Sequence, residues 1–175
     1  CGYGSAILKN LETIFNYIYE GWANDSYFYE YVDRQDILSE FFNSVITQME
    51  LLINSKFINA DNKNLKQNKK KLEFWRSNYS LISIENNISS INFFYSELIK
   101  NKLASENYNV EIVDNLFSNT YIILKKLKAY EGDYLLSDIH KENLVDIKEN
   151  IRKIHFLFSK EISEKIGIKI GFNKM

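Results

Sequence analysis

The run Leu144-Val145-Asp146-Ile147-Lys148-Glu149-Asn150-Ile151-Arg152-Lys153-Ile154-His155-Phe156-Leu157-Phe158-Ser159-Lys160-Glu161-Ile162-Ser163-Glu164-Lys165-Ile166-Gly167 reads as one amphipathic helix. Leu144, Ile147, Ile151, Ile154, Phe158, Ile162 and Ile166 recur at steps of three and four. Only an α-helix brings such steps onto one face. Ser137 or Asp138 supplies a start, and Gly167 a stop, because glycine takes the left-handed conformation that ends helices. Ile168-Lys169-Ile170-Gly171-Phe172 alternates like a strand, but one short tail cannot make a sheet.

The same period runs outward through the chain. A first helix begins near Ser5, carries Ile7, Leu8, Leu11, Ile14, Phe15 and Ile18 on one face, and ends at Gly21. A long helix follows from Asp33 or Asp36 to about Lys56, with Leu38, Phe41, Phe42, Val45, Met49, Leu52 and Ile53 as its stripe. Asp61 or Asn62 caps a helix through Leu65, Leu72, Trp75, Tyr79 and Ile82, with a break at Ser80 or Ser83. The next stripe is Ile84, Ile88, Ile91, Phe94, Tyr95 and Leu98. Another, of Val113, Leu116, Phe117, Tyr121, Leu124 and Leu127, ends near Gly132. Short connections favour antiparallel neighbours. The expectation is an all-α, compact bundle of about five or six mostly antiparallel amphipathic helices. Residues 1–5 form an N-terminal tether, 6–167 the bundle and 168–175 a tail.

Composition agrees. The chain has 175 residues, 45% hydrophobic and 26% charged, so it is long enough to bury a core without a disulfide or metal. It contains no proline, which suits helices joined by short loops. The net charge of −1 provides no field for nucleic acid, and none is expected as a partner. No apolar run is long enough to span a bilayer.

No catalytic, cofactor-binding or metal-ligating constellation emerges, and the chain reads as a non-enzyme. Asp138-Ile139-His140-Lys141-Glu142-Asn143 resembles the catalytic loop of aminoglycoside phosphotransferase-like kinases, which have an Asp base and a metal-binding Asn five residues later. The second metal Asp and the glycine-rich hairpin with its strand lysine are missing, and Asp138 as a helix cap explains the same letters. The two histidines lack the Glu-x-x-His spacing of a di-iron bundle, since Ser137 and Arg152 stand where Glu is needed. Arg152 and His155 are too close together for a HEPN-type ribonuclease. Lys69-Lys70-Lys71 reads as a solvated face.

Two features point to binding. Trp22, Tyr27, Tyr29 and Tyr31, with Phe28 between them, crowd a short segment whose aromatics cannot all face one core. Surplus Trp and Tyr suit a partner surface, although a cap over the bundle end would use them too. Cys1 is the only cysteine, so no internal disulfide forms. A chain that starts Cys1-Gly2-Tyr3-Gly4-Ser5 resembles a mature bacterial lipoprotein, and that resemblance implies a lipid on Cys1 and a membrane anchor.

The proline-free, Lys-, Asn- and Ile-rich helical chain behind Cys1 resembles the helical outer-surface lipoproteins of Borrelia-type spirochaetes. It does so in overall character, without a family-specific motif. The resemblance implies a lipid-anchored protein on the cell surface that binds a host macromolecule, either a complement component or regulator or extracellular matrix. The alternative is a cytoplasmic helical immunity or regulatory protein that binds a partner protein.

Overall fold

In the computed structural model of the chain, residues 2–23, 34–57, 79–128 and 141–171 are described. They form five helices and no strand. The protein is all-α, as its periodicity predicts. Helix α1 is Gly2–Ala23 and α2 is Arg34–Leu51, which runs on through a π turn at Leu52–Lys56. Helix α3 joins Ser80–Phe94, a π turn at Tyr95–Ile99, and Lys100–Ser105. Helix α4 is Glu111–Lys128. Helix α5 joins Lys141–Phe156, a π turn at Leu157–Ile162, and Ser163–Ile166. Asp138, His140 and the Leu65–Trp75 stripe lie outside the described residues, as do Gly132 and Lys69–Lys71.

The chain divides into two units, Cys1–Phe41 and Phe42–Met175, where the periodicity suggests one bundle over 6–167. In the first unit, α1 begins at Gly2, where the periodicity starts the helix near Ser5. Its stripe is regular but exposed, from 43% at Leu11 and Ile18 to 68% at Leu8. An amphipathic period marks a face suited to burial and says nothing of what buries it.

The second unit is a helical bundle with a continuous core. Every residue of the stripe read over 144–166 is buried, and Gly167 takes a left-handed φ of 73°. The Gly167 N–H donates to the Glu164 carbonyl, and the Ile168 N–H to that of Ser163, a paired arrangement that satisfies the last free carbonyls. At the end of α3 the same arrangement is built on Asn107, at φ 57°. Its N–H donates to Ala104, and that of Tyr108 to Leu103. Asparagine tolerates this region, but a β-branched residue does not. Asn107→Val is therefore expected to cost about 1–2 kcal/mol. A thermal melt should fall by roughly 3–6 °C, whereas Asn107→Gly should melt no lower than the parent.

The π turns have a cause in the spacing. In α3 the buried residues Ile91, Tyr95, Ile99 and Leu103 are each four apart, and so are Ile154, Phe158, Ile162 and Ile166 in α5. An α-helix turns about 100° per residue, so each step of four drifts by about 40°. Three such steps would carry the stripe out of the core, and a wider turn corrects it. This changes one expectation: Leu98 is 54% exposed, and Ile99, one residue on, is fully buried. In α2, similarly, Ile46 and Phe57 are buried while Phe41 is exposed and Val45 only half-buried.

Four helices meet at an aromatic centre. Phe42 of α2 stacks on Phe158 of α5 at 5.5 Å and meets Phe94 of α3 edge-on at 6.3 Å. Tyr95 of α3 lies 6.0 Å from Phe158 and stacks on Phe117 of α4 at 5.8 Å. The Tyr95 hydroxyl donates to the Val110 carbonyl at 3.2 Å. Burial, with the Asp114 carboxylate beside it, pushes the Tyr95 phenol well above its ordinary range, so it stays a neutral donor. Tyr108 is pushed up to about 12 by burial and by its hydrogen bond to Glu161, at 3.0 Å.

Residues 168–171 of the tail do not pair as a strand. Ile168 is buried, and Asn43 of α2 takes the role of a neighbouring backbone. Its amide donates to the Lys169 carbonyl at 3.5 Å and accepts from the Gly171 N–H at 3.4 Å.

Candidate functional site

Helices α4 and α5 pack side by side, and the residues they bury are Val113, Phe117, Thr120, Leu124 and Leu127 on one and Leu144, Ile147, Lys148, Ile151 and Ile154 on the other. Both helices also carry apolar residues outside these stripes. Ile112 precedes Val113, and Leu116, which the sequence reading counts in the stripe, precedes Phe117 and is only half-buried, so each sits about 100° round the helix from the core line. Phe156 lies between Ile154 and Phe158 and is likewise turned outward. The stripe periodicity does not mark Ile112 or Phe156, and their one signal is that they are apolar residues left over beside it.

These residues wall a groove of about 560 Å³. Ile112 and Leu116 line it from α4, and Phe156 and Leu157 from α5, with Asn115, Asn119, Arg152 and Lys153 around them. Ile112 is 46% exposed and Phe156 57%, while Leu157 is buried and forms part of the floor. The surface inside is almost entirely apolar. Leu157 also opens the π turn of α5, an irregularity common beside functional sites. Isolated exposed apolar side chains are ordinary, but a joined patch rimmed by polar groups is a mark of binding.

The only charged residues in the lining are Arg152 and Lys153. Arg152 is held by Glu149, one turn back on α5. Lys153 has no hydrogen bond or ion pair among the described residues. Toward Lys126 the seam continues into a second, more polar hollow of about 380 Å³, which shares Asn119 and Lys153 with the first and is lined also by the carboxylates of Asp146 and Glu149.

Among the described residues, no group of three or more His, Cys, Asp or Glu side chains is placed to hold a metal ion. His155 faces α2, with Nε2 3.4 Å from a Glu50 carboxylate oxygen. That contact lacks hydrogen-bond geometry, and Nε2 is buried without a bond. It is a close approach and not an engaged pair. Among the described residues, no helix is long and apolar enough to cross a membrane.

Of the sequence-predicted site residues, Trp22 falls in the last turn of α1. Cys1, Tyr27, Tyr29 and Tyr31 lie outside the described residues. Comparison of the chain with protein-family models, with curated proteins and with solved structures found no match.

Proposed function

We propose that this chain is a non-enzymatic, lipid-anchored surface protein that binds a host macromolecule, a complement component or matrix protein, through the α4–α5 groove. The observation that carries the binding role is the joined apolar patch of Ile112, Leu116, Phe156 and Leu157, open to solvent beside the buried core of the second unit. An exposed phenylalanine and isoleucine facing one trough contribute little to folding, and their burial by a partner would be favourable by about 25 cal/mol per Å² of apolar surface removed from water. The anchor is a lipid on Cys1, the only cysteine. Trp22, Tyr27, Tyr29 and Tyr31 are a second proposed contact region.

Phe156→Ser separates binding from folding. The side chain is mostly exposed, so stability should change by no more than about 0.5 kcal/mol. Retention of purified complement and matrix proteins on the immobilised chain should fall by tenfold or more in the variant, on the order expected for a hot-spot aromatic. Equal retention by parent and variant would remove the groove from this role. The anchor is tested separately, by the mass of the Cys1 peptide from cells extracted in detergent. A peptide heavier by a diacylglyceryl group is expected. An unmodified peptide would favour the cytoplasmic partner-binding reading.

A further inference from the structure

We infer that the α4–α5 groove receives an amphipathic α-helix of a partner protein, with an acidic side chain placed against Lys153; this rests on the groove being the partner site. The first argument is the groove's lack of backbone partners. Its walls are side chains of two helices whose N–H and C=O groups, beyond the first turn of α4, are bonded along the helix, and the surface between them is almost wholly apolar. An extended segment laid there would bury backbone N–H and C=O groups with nothing to bond them. A helix satisfies those groups internally and presents only side chains.

The second argument is shape. Ile112, Leu116 and Asn119 lie at successive turns of α4, and Lys153 and Phe156 are one turn apart on α5. The trough therefore runs along both helices for about two turns, roughly 10 Å at 1.5 Å per residue. A third helix fits it as helices fit one another, with side chains three or four apart seated between the rows of the first two. Of two apolar anchors at that spacing, one would sit among Ile112, Phe156 and Leu157 and the other, one turn along, against Leu116 on the Lys153 side.

The third argument is charge. The apolar trough itself is lined by two cations and no carboxylate, while Asp146 and Glu149 line the adjoining hollow that shares Lys153. Glu149 already engages Arg152, while Lys153 has no partner among the described residues. A basic helix would set like charges together beside an apolar trough, and a helix with Asp or Glu flanking its anchors completes the site.

The test uses the full chain against two phage-displayed peptide libraries. One is built on a helical frame with apolar anchors and randomised flanking charges, and the other on a proline-containing extended frame. Enrichment is expected from the helical library alone, with Asp or Glu predominating at the flanks. The selected peptides should bind Phe156→Ser at least tenfold more weakly at an unchanged melting temperature. Selection on Lys153→Glu should shift the flanking preference to Lys or Arg. Enrichment from the extended library, a charge preference unmoved by Lys153→Glu, or no enrichment would overturn the inference. So would binding of dodecanoate, but of no peptide, at the groove. Suppose the peptides behave as expected but complement and matrix proteins bind Phe156→Ser as well as the parent. The helix-receiving groove then stands and the proposed function fails. A protein partner lost in Phe156→Ser, with no helical peptide selected, would mean the reverse.

Discussion

Ile154→Asp is expected to leave the second unit unfolded at 25 °C, with loss of most of the far-ultraviolet helical signal and no cooperative melt. Ile154 is fully buried, on the α5 stripe that faces the core. The substitution removes a buried branched side chain, a loss of about 2–4 kcal/mol, and introduces a carboxyl group without a partner. Its immediate stripe neighbours on α5 are Ile151, Leu157 and Phe158, none of which can donate a hydrogen bond, and Asn150, one turn back, is neutral and offers no compensating charge. Leaving such a group unsatisfied costs several kcal/mol more, whether it is buried ionised or takes up a proton. The sum approaches or exceeds the whole stability of an ordinary domain, about 5–15 kcal/mol. Ile154 is a better site for this test than Ile151, because an Asp at 151 would stand one turn from the Lys148 ammonium. Ile154→Val keeps the site apolar and should cost about 0.5–1.5 kcal/mol. A cooperative melt for Ile154→Asp within a few degrees of the parent would mean that this face of α5 is not core.

Phe158→Ala should be the most damaging single truncation that still folds. The ring is fully buried and touches Phe42 and Tyr95, so it ties α5 to α2 and α3 at one point. Removing it leaves a cavity between helices that cannot all close in on it, since each is held by other stripe residues. The expected cost is about 3–5 kcal/mol, or roughly 10–15 °C in melting temperature. The near-ultraviolet signal of Tyr95 should weaken with it, because that ring loses a neighbour. Phe158→Leu retains most of the volume and should cost much less. If Phe158→Ala and Phe158→Leu melted together near the parent temperature, the aromatic centre would not be what joins these helices.

The groove is only partly visible in the letters. Ile112 and Phe156 can be seen as apolar residues off the stripe, yet nothing local says that they meet. They are far apart in sequence, and only the alignment of α4 beside α5 brings them to one trough. Trp22, Tyr27, Tyr29 and Tyr31 stand out in the sequence because aromatic crowding is a local signal. A patch assembled from two helices leaves no such mark.

By itself the sequence determined the features that depend on short-range periodicity. Steps of three and four set the helical class, the whole buried stripe of α5 and its stop at Gly167. These need only 3.6 residues per turn and a glycine free to adopt positive φ. The tertiary structure decided the rest, because burial is a property of neighbours. Three successive steps of four are tolerated in α3 and α5 because packing forces a π turn, and that turn exchanges Leu98 for Ile99 in the core. Asn43, a polar letter in an apolar stripe, became the latch for the tail. Helix α1 has a stripe as regular as that of α5, yet its residues remain exposed. Amphipathicity is written in one helix, whereas burial requires a second surface that a local pattern cannot specify.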